Sequence, residues 1–457
     1  MINILGSGPP SHHGCDRRAF LQIGALGLGG LTLADALRGQ AQSGHSNGTP
    51  AKSVIMVYLP GGPSHIDMYD PKPESPVEFR GEFDSIATQL PGVEFCEHLP
   101  LQAQIADKFS VIRGMKFKGR HDAYELLSGY PSASSGQIRA GEKWPAFGSV
   151  VSRIRGDEAT ALPPYVNLND LRLGLDSDDP EVPRYLGPAH GPFRPTGPGL
   201  ANLRLPAGVS PDRLDERQSL LAQFDRARRA AEGSSRMQVL DEFQRRAIGM
   251  VTSGTVYQAL DIDREDPRVR ERFQGCEDLL LARRLVEAGV SVVTVAQGGV
   301  QKAPGLPVFG IWDTHTQNFP SMRKLLPAYD RAIYTLLTDL HDRGLDQQVA
   351  VVIWGEFGRS PRIGDETKAL GSRYNGGRGH WWDAGFAIVS GGGLRMGQVV
   401  GETDACAERA KGKPYTPQNV LATIYHVLGI DPIRAFPDYQ GRPIHLLDDR
   451  EKIQELI

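Results

Sequence analysis

Residues 53–70 read SVIMVYLPGGPSHIDMYD, and the fold turns on how this stretch is read. Val54, Ile55, Met56, Val57, Tyr58 and Leu59 are apolar without alternation, the pattern of a strand buried on both faces. Pro60, Gly61 and Gly62 then turn the chain, and Ser64, His65, Asp67 and Asp70 follow. Ligands of open α/β sheets bind outside the carboxyl ends of the strands. This polar loop is therefore expected either at the mouth of an active site or in a well-made turn.

Further strand candidates lie at Phe109–Met115, Pro164–Leu168, the β-branched Val290–Ala296, Val349–Trp354 and Phe386–Val389. A long helix is predicted over Pro320–Asp342, with Leu325, Leu326, Tyr329, Ile333, Leu336, Leu337 and Leu340 at helical spacing, and a final one over Thr416–Leu428. Residues 211–288 read as a helical insertion with helices at Leu214–Ala231, Met237–Met250 and Arg268–Ala288. Continuous strands separated by helices specify an α/β fold: a mainly parallel central sheet sandwiched by helices, occupying residues 52–457.

The amino terminus reads differently. Arg17-Arg18 followed by Phe20-Leu21 and the Gly-rich, moderately apolar stretch Gln22–Leu31 resembles a twin-arginine export signal, here taken as residues 1–42 with a linker at 43–51. Ala34-Asp35-Ala36 and Gly39-Gln40-Ala41 are alternative cleavage sites. The reading implies a transient partnership with the twin-arginine translocase and a periplasmic or extracellular address. That route carries proteins already folded, often with a metal or cofactor bound. No later stretch reaches the ~20 apolar residues of a membrane span, so no transmembrane segment is expected in the mature protein. A formal net charge of −3 without a long Lys/Arg run gives no footprint for nucleic acid. Cys15 lies in the signal, so Cys96, Cys276 and Cys406 permit one disulfide at most, and the absence of a CxxC pair argues against a thiolate zinc site.

The polar residues past the strands carry the chemistry. Of twelve histidines, His121, His315 and His380 are assigned to strand-exit loops alongside His65. Asp313 lies two residues before His315, and Glu356 follows the run Val349–Trp354. Imidazole and carboxylate together are the ligands of Zn²⁺ and similar ions, whereas Mg²⁺ and Ca²⁺ lean on oxygen alone. One or two divalent ions are expected, with Zn favoured over Mn, Mg or Ca. Arg359 and Arg378 offer planar donor forks that match an anionic ester, or else salt-bridge their loops. Trp312, Trp381 and Trp382 either wall the pocket, stack on a sugar, or pack in the core, and His190 is a weaker candidate for a substrate loop.

The order of these segments, with Gly355-Glu356-Phe357-Gly358-Arg359, Gly377-Arg378-Gly379-His380, Ser128-Gly129-Tyr130-Pro131 and the helix leading to Leu428-Gly429-Ile430, resembles the alkaline-phosphatase-like superfamily. Gly61–Asp67, Tyr69-Asp70-Pro71-Lys72-Pro73 and Tyr185–Ala189 are similar, more closely, to the exported bacterial family called domain of unknown function 1501. The resemblance implies divalent metals at the carboxyl end of a parallel sheet, with Asp313, His315, Glu356 and His380 as ligands. It implies hydrolysis or transfer of phosphate or sulfate esters. Three departures stand out: Phe357 replaces a second ligand, and no acidic residue ends the first strand, Asp67 and Asp70 coming later. The nucleophile window holds Gly119, Arg120 and His121 without a hydroxyl or thiol. No cysteine has the sequence context that formylglycine formation needs. Metal-activated water, His121 or Ser64 remain as attacking groups, with Asp67 as a further metal ligand and His65 as a substrate contact.

Two readings follow. One is an exported metal-dependent hydrolase of phosphate- or sulfate-type esters, acting on an anionic small molecule or polysaccharide. The other is a non-catalytic binding or scaffolding protein of the same fold.

Overall fold

The computed structural model describes residues 52–132, 144–156, 162–169, 171, 179–195, 254–297, 312–364 and 376–457. The signal segment, the linker and the helices expected at Leu214–Ala231 and Met237–Met250 lie outside these residues. The central sheet has seven strands: β1 Ser53–Tyr58, β2 Phe109–Arg113, β3 Tyr165–Asn167, β4 Val292–Ala296, β5 Val349–Trp354, β6 Phe386–Gly391 and β7 Gln398–Val400. Their order across the sheet is β7-β2-β6-β5-β1-β4-β3. β1 pairs in parallel with β4 and β5, β3 with β4, and β7 with β2, whereas β6 runs antiparallel to β2 and β5. The sheet is thus mainly parallel, with β6 alone reversed.

Unbroken apolar strands arise here because both faces are covered. Along β1, Ile55 and Val57 enter a core shared with the helices Glu277–Ala288 and Asn318–Asp342. Val54, Met56 and Tyr58 face the opposite core, shared with Tyr124–Ser128, Phe147–Arg155 and Pro417–Val427. Each fully buried aliphatic side chain contributes roughly 1.5–3 kcal/mol relative to exposure, so the two cores hold the sheet in place.

The reversal of β6 corrects one expectation. Phe386 lies opposite Arg113 and Ala387 opposite Trp354, so β6 begins at the edge where β2 and β5 end. His380 therefore precedes its strand rather than leaving one, and it still reaches the edge where the other loops emerge. The helix expected at Arg268–Ala288 is two, Pro267–Arg272 and Glu277–Ala288, because Gly275 takes a φ of 84° that interrupts the ladder. Cys96, Cys276 and Cys406 are all free thiols, so the single disulfide that their number permits does not form among them.

Candidate metal centre

Five side chains meet at this edge. His121 comes from the loop after β2, Asp313 and His315 from the segment before Asn318–Asp342, Glu356 from the turn after β5, and His380 from the segment before β6. Two short pairings fix their approach. Gly358 and Arg359 form a ribbon with His380 and Trp381, with Arg359 opposite His380. The Gly61 N–H donates to Glu356 Oε1 at 2.9 Å, fastening the turn after β5 to the end of β1. That contact depends on glycine: Gly61 has a φ of 102°, and a Cβ there would stand 2.6 Å from the Asp313 nitrogen.

Ligand atoms of His121, Asp313 and His380 all lie within 4.8 Å of one another. His121 Nε2 is 3.3 Å from Asp313 Oδ2 and its Nδ1 is 3.0 Å from Glu356 Oε1. The other Asp313 oxygen, Oδ1, is 3.0 Å from His315 Nε2 and 3.2 Å from His380 Nε2. The two imidazoles approach to 2.9 Å between their Nε2 atoms. Phe357, where the resemblance implies a second ligand, is buried and packs its ring against both His121 and His380, at centroid separations of 5.3 and 4.3 Å.

The electrostatics follow from this crowding. Burial opposes charge on His121, but Asp313 and Glu356 outweigh it and raise its pKa to about 10. For His380 burial wins, helped by the Arg359 charge, and its pKa is lowered. Burial would raise the Asp313 carboxyl, yet hydrogen bonds from the three histidines and the Arg359 charge hold it well below the ordinary carboxylate range.

A divalent ion fits this donor set. Two imidazoles and a carboxylate in reach of one point are the ligand chemistry of zinc-type sites. Ligating histidines commonly give their second nitrogen to a carboxylate, which orients the ring, and Glu356 faces His121 in that way. Glu356 Oε2 and the Tyr58 hydroxyl are both buried, and they lie near enough that burial and then the Glu356 charge push the Tyr58 pKa well up.

A family model described as a protein of unknown function, DUF1501, matches residues 51–457. The chain belongs to the DUF1501 family. The curated proteins contain no match to it. Solved structures similar to this DUF1501 chain include the PsFucS1 sulfatase from Pseudoalteromonas sp., at 11% identity over 86% of this chain and 70% of that one, with a TM-score of 0.35. The lipoteichoic acid synthase LtaP from Listeria monocytogenes is similar at 9% identity over 83% and 72%, with a TM-score of 0.35. The C-terminal periplasmic domain of EcEptC from Escherichia coli, solved in complex with Zn, is similar at 8% identity over 90% and 93%, with a TM-score of 0.33.

Several other residues singled out in this DUF1501 sequence are not among the five clustered side chains. Ser64, His65 and Asp67, in the loop read as either a site mouth or a turn, are all buried. Ser64 Oγ donates to Asp67 Oδ2 at 2.6 Å, and His65 Nε2 meets the Ala407 carbonyl at 2.8 Å. The Asp67 carboxylate is taken up by Arg378, from Nε to Oδ2 at 2.7 Å and from Nη2 to Oδ1 at 2.9 Å, with Asn318 Nδ2 at 2.9 Å. Arg378 also donates to the carbonyls of Phe79, Ser360 and Pro361. Arg359 donates to the carbonyls of Gly61, Gly62 and Arg378 and to Asp313. Neither guanidinium faces solvent; of the two alternatives that the sequence left open, anion binding or a salt bridge, these contacts fit the second. A cavity of about 310 Å³ is lined by Asp67, Lys72, Arg80 and Cys96, among others, and by none of the five clustered side chains.

Sequence reasoning passed over Tyr58 and Asn318. A tyrosine at the last position of a Val/Ile-rich strand was the available signal for the first. Asn318, at the start of the long helix, carried none.

Proposed function

We propose that this chain is a metal-dependent hydrolase of phosphate- or sulfate-type esters, exported by the twin-arginine route to the periplasm or beyond. The observation that carries the reading is the convergence of His121, Asp313 and His380 within 4.8 Å at the sheet's carboxyl edge. These three would hold one divalent ion, zinc fitting the donors best, while Glu356 orients His121 and His315 closes the group from the Asp313 side. Bound there, such an ion would neutralise an anionic ester and lower the pKa of a bound water to about 7.

The chain's own residues favour water as the attacking group. Ser64 is buried and hydrogen-bonded to Asp67, and His121 has both ring nitrogens directed at carboxylates. The Glu356 carboxylate is the nearest proton acceptor to His121. The address rests on the Arg17-Arg18 segment; no helix among the described residues is long and apolar enough to cross a membrane.

Metal analysis of purified protein tests the reading first, with about one equivalent of a divalent transition metal expected. Binding should be lost on His121→Ala or His380→Ala, and the loaded protein should turn over members of a panel of phosphate monoesters, phosphodiesters and sulfates. A metal-free protein indifferent to these substitutions sinks the proposal. A loaded protein inert on the whole panel supports the binding-protein alternative.

A further inference from the structure

Trp382 is 39% exposed, one of five large hydrophobic side chains open to solvent among the described residues, and it stands beside the cluster. Its ring lies edge-to-face with His380, with centroids 5.7 Å apart and planes at 87°, and 5.4 Å from the Phe357 ring. The indole is held: Nε1 donates to the Gly119 carbonyl at 2.9 Å, and the Trp382 carbonyl accepts from the Phe117 N–H at 2.9 Å. A half-buried tryptophan whose N–H is satisfied and whose backbone is pinned pays little entropy to meet a ligand.

We infer that Trp382 is a stacking wall that selects esters whose alcohol is a ring, a sugar or an aryl group, over acyclic ones. The inference rests on the ester-hydrolase reading above. An ester held at His121, Asp313 and His380 carries its alcohol carbon one oxygen away from the reacting atom. The indole stands beside His380, so a ring on that carbon that extends past His380 would meet it. An aryl face, or the C–H face of a sugar, covers the apolar surface of Trp382 and removes it from water, whereas a methyl ester leaves it wet. Trp382 contacts the alcohol portion only and takes no part in holding the metal.

The test is binding of phenyl phosphate, glucose 1-phosphate and methyl phosphate, with the matching sulfates, to the metal-loaded protein by calorimetry and tryptophan fluorescence. Ring esters should bind about 2- to 10-fold more tightly than methyl esters. Trp382→Ala should erase that ratio with metal content unchanged, and Trp382→Phe should keep most of it. Comparison of phenyl with glucosyl esters tells which ring the wall accepts. Equal affinity for ring and methyl esters, or a ratio that survives Trp382→Ala, overturns the stacking wall alone. Failure of every phosphate and sulfate to bind the loaded wild-type protein, methyl esters included, overturns the hydrolase reading and the wall with it.

Discussion

The Arg359 guanidinium lies against Asp313 Oδ1, the same oxygen that faces His315 and His380. Arg359 also ties down the carbonyls of Gly61, Gly62 and Arg378, so one buried side chain connects the exit of β1, the Asp313 segment and the approach to His380. Its charge balances that of Asp313 and leaves the carboxylate's other oxygen to His121.

Removing that clamp should loosen the metal more than the fold. Arg359→Ala is expected to weaken metal affinity by about 10- to 100-fold, the usual cost of losing a partner that orients a ligand. Arg359→Lys should not restore it, because an ammonium lacks the planar fork that reaches several acceptors at once. Competition with a chelator of known affinity measures both variants.

The pair Asp67–Arg378 should behave as a stability element. Both side chains are buried, so Arg378→Met leaves a carboxylate without its counter-ion and is expected to cost about 3–5 kcal/mol. Asp67→Asn in the same background should recover part of this, since the stranded charge is then gone. Urea unfolding of the single and double variants reads the coupling, and additive losses would show that the pair is not acting as one.

Neighbouring glycines should respond differently. A Cβ on Gly377 would overlap the His315 carbonyl, while one on Gly376 meets nothing within 4 Å. Gly377→Ala must push the Arg378–His380 segment away from His315 and should abolish metal binding. Gly376→Ala carries only the strain of a non-glycine residue at a φ of 70°, about 1–2 kcal/mol, and should bind metal normally. Parallel titrations with Zn²⁺ separate the two.

Glu125 gives a pH signature. Burial raises its pKa from 4.5 to about 7, against the backbone N–H groups of Lys118 and Gly119, which it accepts from. Below pH 4.5 the carboxyl is protonated folded or unfolded and contributes no pH dependence. Between 4.5 and 7 the folded state binds the extra proton, so stability falls as pH rises across this window, by on the order of 3 kcal/mol. Glu125→Gln should flatten that segment of the stability curve, as followed by denaturant midpoints from pH 4 to pH 8.

The α/β architecture is legible in the sequence, and so is the gathering of several histidines and carboxylates near one sheet edge. Strands buried on two faces cannot alternate, so Ser53–Tyr58, Val349–Trp354 and Phe386–Gly391 announce themselves as apolar runs. Residues placed just past such strands must gather at one edge, which is how His121, Asp313, His315 and Glu356 become legible as a group. Three things were left to the tertiary structure. The direction of β6 is one, because an apolar run reads the same parallel or antiparallel, and this reversal is what brings His380 to the edge. The second is the burial of Arg359, Arg378 and Asp67: a guanidinium near a candidate site reads as an anion binder until its carbonyl and carboxylate partners from distant segments fill its donors. The third is the exposure of Trp382 beside His380. Pattern along a chain reports which faces are covered, and only packing between segments far apart in sequence decides which polar groups satisfy one another and which surface stays open to a ligand.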